Sequence, residues 1–201
     1  ATVGTGAPTI NGGEVKNKGF EFNLAWNDMI GKDFRYNIGV NGAYNKNEVG
    51  SIPTDDGIIH GATNQLYDNA PEFYRAQNGH AIGYFWGYKT AGVIQNAADL
   101  AAYTATLKDG NAANSLQGAD LKVGDLKFVD TNGDGVITAD DKTNLGDPNP
   151  DVTMGLNLGL NWKGFDLNVT GYAALGQQVA RSYRKFTDGE YENFTTEVYI
   201  A

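Results

Sequence analysis

From Val152 to Ala174 apolar and polar residues alternate with a period of two. Val152, Met154, Leu156, Leu158, Leu160 and Trp162 share one face of a predicted strand, and Thr153, Gly155, Asn157, Gly159 and Asn161 share the other. The pattern resumes with Phe165, Leu167 and Val169 against Asp166, Asn168 and Thr170. Lys163 and Gly164 between the arms predict a tight hairpin that keeps Trp162 and Phe165 on one side. A second pair of arms lies near the start. Over Lys18–Asn27, Phe20, Phe22, Leu24 and Trp26 oppose Glu21, Asn23 and Ala25. After a turn predicted at Asp28–Asp33, Phe34, Tyr36, Ile38, Val40 and Tyr44 oppose Arg35, Asn37, Gly39, Asn41, Ala43 and Asn45. The reading is all-β, with two antiparallel hairpins of one design: apolar on one face, rich in Asn and Gly on the other.

Such a face has two uses. It covers the core of a soluble β-sandwich, or it faces lipid in an outer-membrane barrel, whose strands need roughly 9–11 residues and carry aromatic girdles at both interfaces. The arm 152–162 has that length and ends in Trp162, and Phe34 and Tyr44 place rings at both ends of another arm. Two fixed heights of aromatic residues favour the barrel. Between the hairpins lies Lys46–Asp151, far longer than an ordinary connection. Short turns at one end and a long loop at the other are the asymmetry of outer-membrane barrels, whose long loops face outside. The expected divisions are therefore a barrel hairpin at 1–45, an extracellular loop region at 46–151, and a second hairpin with the start of the next loop at 152–201. Within the loop, Gly83–Ile94 is aromatic and predicted extended, Asp99–Lys108 carries a helical pattern, and Gly124–Val129 reads as a short strand.

Composition narrows this further. Among 201 residues there are 27 Gly and 5 Pro, with 11% aromatic residues, which suits strands and turns. No apolar run approaches the roughly 18 residues of a transmembrane helix, so a membrane role would be a barrel role. A net charge of -9 leaves no basic stripe for nucleic acid. The absence of cysteine excludes disulfide scaffolds and thiolate metal sites. The opening Ala-Thr-Val-Gly-Thr-Gly has neither a basic nor an apolar leader region, so the chain is expected to be either cytoplasmic or an internal piece of something longer.

The most specific motif is Asp130-Thr131-Asn132-Gly133-Asp134-Gly135-Val136-Ile137-Thr138-Ala139-Asp140-Asp141, which fits the Asp-x-Asn-x-Asp-Gly frame of a calcium loop. Oxygens of Asp130, Asn132, Asp134 and Asp141, the Val136 carbonyl and Thr138, directly or through water, would converge on one Ca2+, with Gly135 permitting the sharp turn. Asp stands at the twelfth position where an EF-hand has Glu, and no amphipathic helix precedes the loop. The alternative is an Asx-rich turn in which these side chains bond their own backbone. Tyr84, Trp86 and Tyr88, together with Phe85, either stack on a ligand or contact a partner, or else pack the loop itself. His60 and His80 look isolated, and Glu190 and Glu192 fall on a solvated face. No nucleophile motif is present, so enzyme activity is not expected.

Five segments in order carry a family resemblance: Asn17-Lys18-Gly19-Phe20-Glu21-Phe22, Asn45-Lys46-Asn47-Glu48-Val49, the run from Gly83 through Ala91-Gly92-Val93-Ile94-Gln95, Gly124 to Thr138, and Leu145-Gly146-Asp147-Pro148-Asn149-Pro150. Together they resemble the region near the C-terminal end of SusC/RagA-like TonB-dependent transporters of Bacteroidetes. The resemblance implies a 22-stranded barrel in the cell outer membrane, importing glycans or peptides beneath a SusD-like lipoprotein. Coupling to the TonB complex would run through parts not found in this sequence, where the family's plug, TonB box and final membrane strand are missing. The competing class is a soluble secreted, calcium-stabilised β-sandwich that binds glycan.

Overall fold

The computed structural model describes residues 12–67 and 69–180. Its strands are β1 (Glu14–Ile30), β2 (Phe34–Ser51), β3 (Ile58–His60), β4 (Tyr74–Gln77), β5 (Tyr84–Tyr88), β6 (Thr90–Val93), β7 (Leu126–Phe128), β8 (Lys142–Asn144), β9 (Val152–Trp162) and β10 (Phe165–Leu175). One α-helix, α1 (Ala97–Thr104), precedes β7. Among the described residues, those before Phe85 and after Gly146 form one compact unit, and Phe85–Gly146 form another. Glu190 and Glu192 lie outside the described residues.

The first unit is built on a four-stranded antiparallel sheet in the order β1-β2-β9-β10. Its two hairpins join through β2 and β9, with Phe34 opposite Trp162, Ile38 opposite Leu158 and Tyr44 opposite Val152. Directly opposed residues share a face. The row Leu24, Val40, Leu156, Gly171 and the row Trp26, Ile38, Leu158, Val169 therefore lie on the apolar side, as their alternation predicts. On the other side run Asn27, Asn37, Gly159, Asn168 and Asn23, Asn41, Gly155, Tyr172. The apolar side is bare: Leu24 is 67% exposed, Trp26 62% and Phe165 75%. A β-sandwich needs a second sheet over that face, and among the described residues none pairs with or covers it. Aromatic rows bound it at both ends, Phe34, Trp162 and Phe165 near the turns and Phe20 with Tyr44 at the far side, their rings 5.8 Å apart. At roughly 3.3 Å per residue and a tilt of roughly 40°, the stretch from Phe34 to Tyr44 stands roughly 25 Å tall, the height of an outer-membrane apolar band.

The first turn is tighter than predicted. Asp28 and Met29 remain in β1, paired with Tyr36 and Arg35, so that only residues 31–33 turn. The hairpin is shortened by Gly31, whose φ of 67° lets the chain reverse at once. At the second, Lys163 and Gly164 have φ of 47° and 89°, the double left-handed conformation of a type I′ hairpin. β1 and β2 also run past the predicted strand ends, because polar pairs sustain the ladder after the apolar alternation stops. Lys16 faces Glu48, Asn17 faces Asn47, and the Asn47 amide donates to Asn17 Oδ1 at 2.7 Å.

The segment 46–151 does not form one body. Its first part stays with the sheet unit: Gly79 N donates to the Val49 carbonyl, Val49 N to the His80 carbonyl, and Ile82 N to Asn47 Oδ1 at 2.8 Å. Val49 and Ile52 are buried there. The second unit has its own core of Ile94, Tyr103, Leu107, Leu121 and Ile137. Helix α1 is started by Asn96, whose Oδ1 accepts from Asp99 N at 3.0 Å. The buried Tyr103 hydroxyl fixes it to β7, donating to the Phe128 carbonyl at 2.9 Å and accepting from the Phe128 amide at 3.0 Å.

Two glycines test this sheet. A Cβ on Gly19 would meet the Tyr44 backbone carbonyl, whereas one on Gly171 would find Leu156 Cβ at an ordinary 3.7 Å. We expect Gly19→Ala to destabilise the sheet by about 1–3 kcal/mol and Gly171→Ala to be near neutral. Comparing the temperatures at which the two full-length variants lose their folded electrophoretic mobility measures the difference.

Candidate functional site

The polar face of the sheet is an amide surface. Gly155 and Gly159 lie beneath Asn41 and Asn37, and a Cβ on either glycine would run into the opposing Asn side chain. Omitting those side chains lets the amides lie flat across the strands. Thr170 Oγ1 donates to Asn157 Oδ1 at 3.2 Å, and Asn161 Nδ2 to Asp166 Oδ1 at 2.5 Å. Near the short turns a groove of about 290 Å³ is lined by Asn27, Arg35, Asn37, Asn161, Asp166 and Asn168. Each Asn offers both donors and an acceptor, so the face suits sugar hydroxyls or peptide groups.

The run Asp130–Asp141 lies in the second unit and is wired to its own backbone. Asp130 accepts from Gly133 N and Gly135 N, both at 2.6 Å; Asn132 Oδ1 accepts from Asp134 N at 2.9 Å; Asp134 Oδ1 accepts from Val136 N at 2.7 Å. Gly135 has a φ of 80°, and a Cβ there would press on Lys108 N at 2.8 Å, so position six needs glycine for shape and for docking. Lys108 N donates to the Gly135 carbonyl and Ile137 N to the Asn114 carbonyl, and the buried Ile137 side chain anchors the loop in the core. Asp141 is fully buried. Its Oδ1 accepts from Thr131 N and its Oδ2 from Thr138 N, both at 2.8 Å, while Thr138 Oγ1 caps Asp140 N at 3.2 Å. Burial pushes the Asp141 carboxyl up, but the amides of Thr138, Thr131 and Asn132 outweigh it, leaving the group below its ordinary value of 3.8. Among the described residues, no three acidic or histidine side chains gather into a metal cage.

The aromatic run divides. Tyr84 is fully buried, stacked on His80 with ring centroids 4.7 Å apart and bonded through its hydroxyl to Gln77 Oε1, so it has no surface for a ligand. Trp86 and Tyr88 are half-buried in β5. Tyr88 meets the Phe128 ring edge-on at 5.5 Å with Lys142 Nζ 5.4 Å above it, and burial with the nearby Asp141 charge pushes its phenol up. His60 is not isolated. Its Nδ1 lies 2.9 Å from Glu72 Oε2 and its Nε2 3.6 Å from Asp56 Oδ2. Glu72 also holds Gly61 N and the Arg75 guanidinium. Burial raises Glu72, and its bonds from His60 and Arg75 bring it below the usual carboxylate value. The sequence hides this cluster because the β3–β4 register, with His60 opposite Arg75, is what brings Glu72 to the ring.

No family model matches the chain. The chain is 34% identical over 177 residues to TonB-dependent receptor P3 of Formosa agariphila, a match covering 88% of this chain and 16% of that protein. It is 26% identical to TonB-dependent receptor SusC of Bacteroides thetaiotaomicron, covering 85% of this chain and 15% of that one. The chain belongs to the TonB-dependent receptors. A solved structure of the RagAB peptide transporter superposes with a TM-score of 0.55 at 18% identity, covering 88% of this chain and 16% of that one, so the antiparallel sheet is the fold of such a receptor. The chain thus spans about one sixth of the length of the relatives it matches. Here the sheet is open, since β1 and β10 each have one edge unpaired among the described residues.

Asp141 is the residue on which the second unit's loop hangs. Replacing it by Ala orphans the Thr131 and Thr138 amides, and we expect a loss of about 2–4 kcal/mol in that unit, with Asn costing less because one acceptor survives. Because the folded carboxyl titrates below 3.8, its contribution is fully present above that pH and is lost as pH falls through the lower folded value. Hydrogen exchange at the Thr131 and Thr138 amides across an acid series checks both expectations.

Proposed function

We propose that this chain is part of the wall and loop region of an outer-membrane transporter that imports glycans or peptides with a SusD-like lipoprotein partner and is driven through the TonB complex. The observation that carries the reading is the β2–β9 register, which aligns two hairpins into one sheet with a bare apolar face between aromatic rows. The similarity to TonB-dependent receptor SusC supports coupling to TonB, and that to the RagAB peptide transporter supports transport of peptides. Among the described residues no helix is long and apolar enough to cross a membrane. In this reading the apolar face meets lipid, the Asn/Gly face meets the lumen, and residues 46–151 lie outside the cell.

We expect the fluorescence of Trp26 and Trp162 in the full-length protein to be quenched by lipids brominated in the acyl chains, and that of Trp86 to be spared. Equal quenching of all three, or of none, would overturn the lipid-facing assignment. Protease added to intact cells should cut within 46–151 and leave the 31–33 turn whole. Uptake of oligosaccharides compared with oligopeptides, with and without the lipoprotein, then identifies the cargo.

For the Asx loop we propose Ca2+ as ligand. Asp130, Asn132 and Asp134 follow the calcium frame, and each accepting oxygen keeps a second lone pair for a cation. Thr138 and Asp141 are engaged as caps, so their part would be through water or by sharing. Millimolar calcium should raise the loop's resistance to protease, and Asp130→Ala or Asp134→Ala should abolish the rise. Equal resistance of the native protein in chelator and in calcium leaves the backbone-bonded turn as the whole account.

A further inference from the structure

Immediately beyond the Phe20–Tyr44 row, β1 and β2 set Lys18 directly opposite Lys46. Alternation puts Lys18 on the same face as Phe20 and Leu24, and Lys46 on the same face as Tyr44. Opposed side chains of an antiparallel pair stand roughly 5 Å apart at Cβ, and like charges there are destabilising. The neighbours relieve this in part. Lys46 Nζ lies 3.8 Å from Glu48 Oε2 and Lys16 Nζ 3.5 Å from Glu14 Oε2, but Lys18 has no carboxylate within ion-pair reach among the described residues. At the short-turn end no two cations are register partners, and Lys163 lies over the Trp162 ring at 5.7 Å.

We propose that Lys18 and Lys46 clamp the phosphate of a lipid headgroup in the leaflet at the long-loop end. The proposal rests on the apolar face being lipid-facing. A phosphate between the two ammonium groups converts their repulsion into two attractions, and the Phe20–Tyr44 row beneath sits where aromatic side chains meet headgroups. The one-sided placement gives the site a single leaflet. Free inorganic phosphate shares the charge but lacks acyl chains to lie along Phe22, Leu24 and Val40, so the lipid is the occupant.

The full-length protein in detergent is probed by native mass spectrometry with phosphatidic acid, the matching diacylglycerol, and inorganic phosphate as competitor. We expect phosphatidic acid to be retained and diacylglycerol not. Lys18→Gln with Lys46→Gln should weaken retention on the order of tenfold, while Lys32→Gln with Lys163→Gln should leave it unchanged. Inorganic phosphate at the concentration of the lipid should not displace it. Unchanged retention in the Lys18 and Lys46 double variant, equal loss in the control, or displacement by inorganic phosphate would each overturn the clamp. Brominated-lipid quenching of Trp26 in the same double variant separates the two readings. Quenching with unchanged retention rejects the clamp alone, and no quenching rejects the lipid-facing assignment and the clamp with it.

Discussion

The ladder between β2 and β9 is the constraint on which the rest of the sheet unit depends. Its partners are remote in sequence, and their pairing must first overcome the entropy of closing everything between Tyr44 and Val152. What repays that cost is shared: each new row aligns four side chains at once, because β1 and β10 are already attached through their own hairpins. Register follows from the same ladder. A slip of one residue would move every Leu of β9 to the Asn side, so the two-faced pattern and the pairing specify each other.

The hairpins were legible because their signal is local and repeated. Period-two alternation over β9 and β10, and the Lys163-Gly164 turn, left little freedom, and the faces came out as the pattern required. Five ordered segments carry the family pattern, and the 34% identity to TonB-dependent receptor P3 extends it over 88% of the chain. Less legible was whatever depended on pairing between polar residues. The extra length of β1 and β2 comes from Lys16 with Glu48 and Asn17 with Asn47, which carry no alternation. The attachment of residues up to Tyr84 to the sheet unit rests on backbone bonds at Val49 and His80, invisible in composition. His60 looked solitary because its carboxylates are brought to it by a turn and a three-residue hairpin.

The Asp130–Asp141 run shows why a motif specifies chemistry and conformation together. Oxygens spaced to surround a cation are also spaced to accept successive backbone amides, since both tasks need a tight turn with Gly135 in a left-handed conformation. The frame was readable as far as Asp134. The use of Asp141 as a buried cap was not, because it depends on the three-residue helical turn at Ala139–Asp141 that places its two oxygens against Thr131 and Thr138.

The unequal strand lengths have a mechanical consequence. β9 and the apolar alternation end near the Tyr44–Val152 row, while β1 and β2 continue as paired strands to Glu14 and Ser51. At roughly 3.3 Å per residue the overhang is roughly 20 Å long, and ribbons of two strands twist more than broad sheets do. It is a stalk rather than a rim, braced at Val49 by Gly79 and His80. A lever of that length turns a tilt of a few degrees at its foot into a displacement of about an ångström at its tip, and the bonds of Gly79 and His80 to Val49 are placed to resist that tilt.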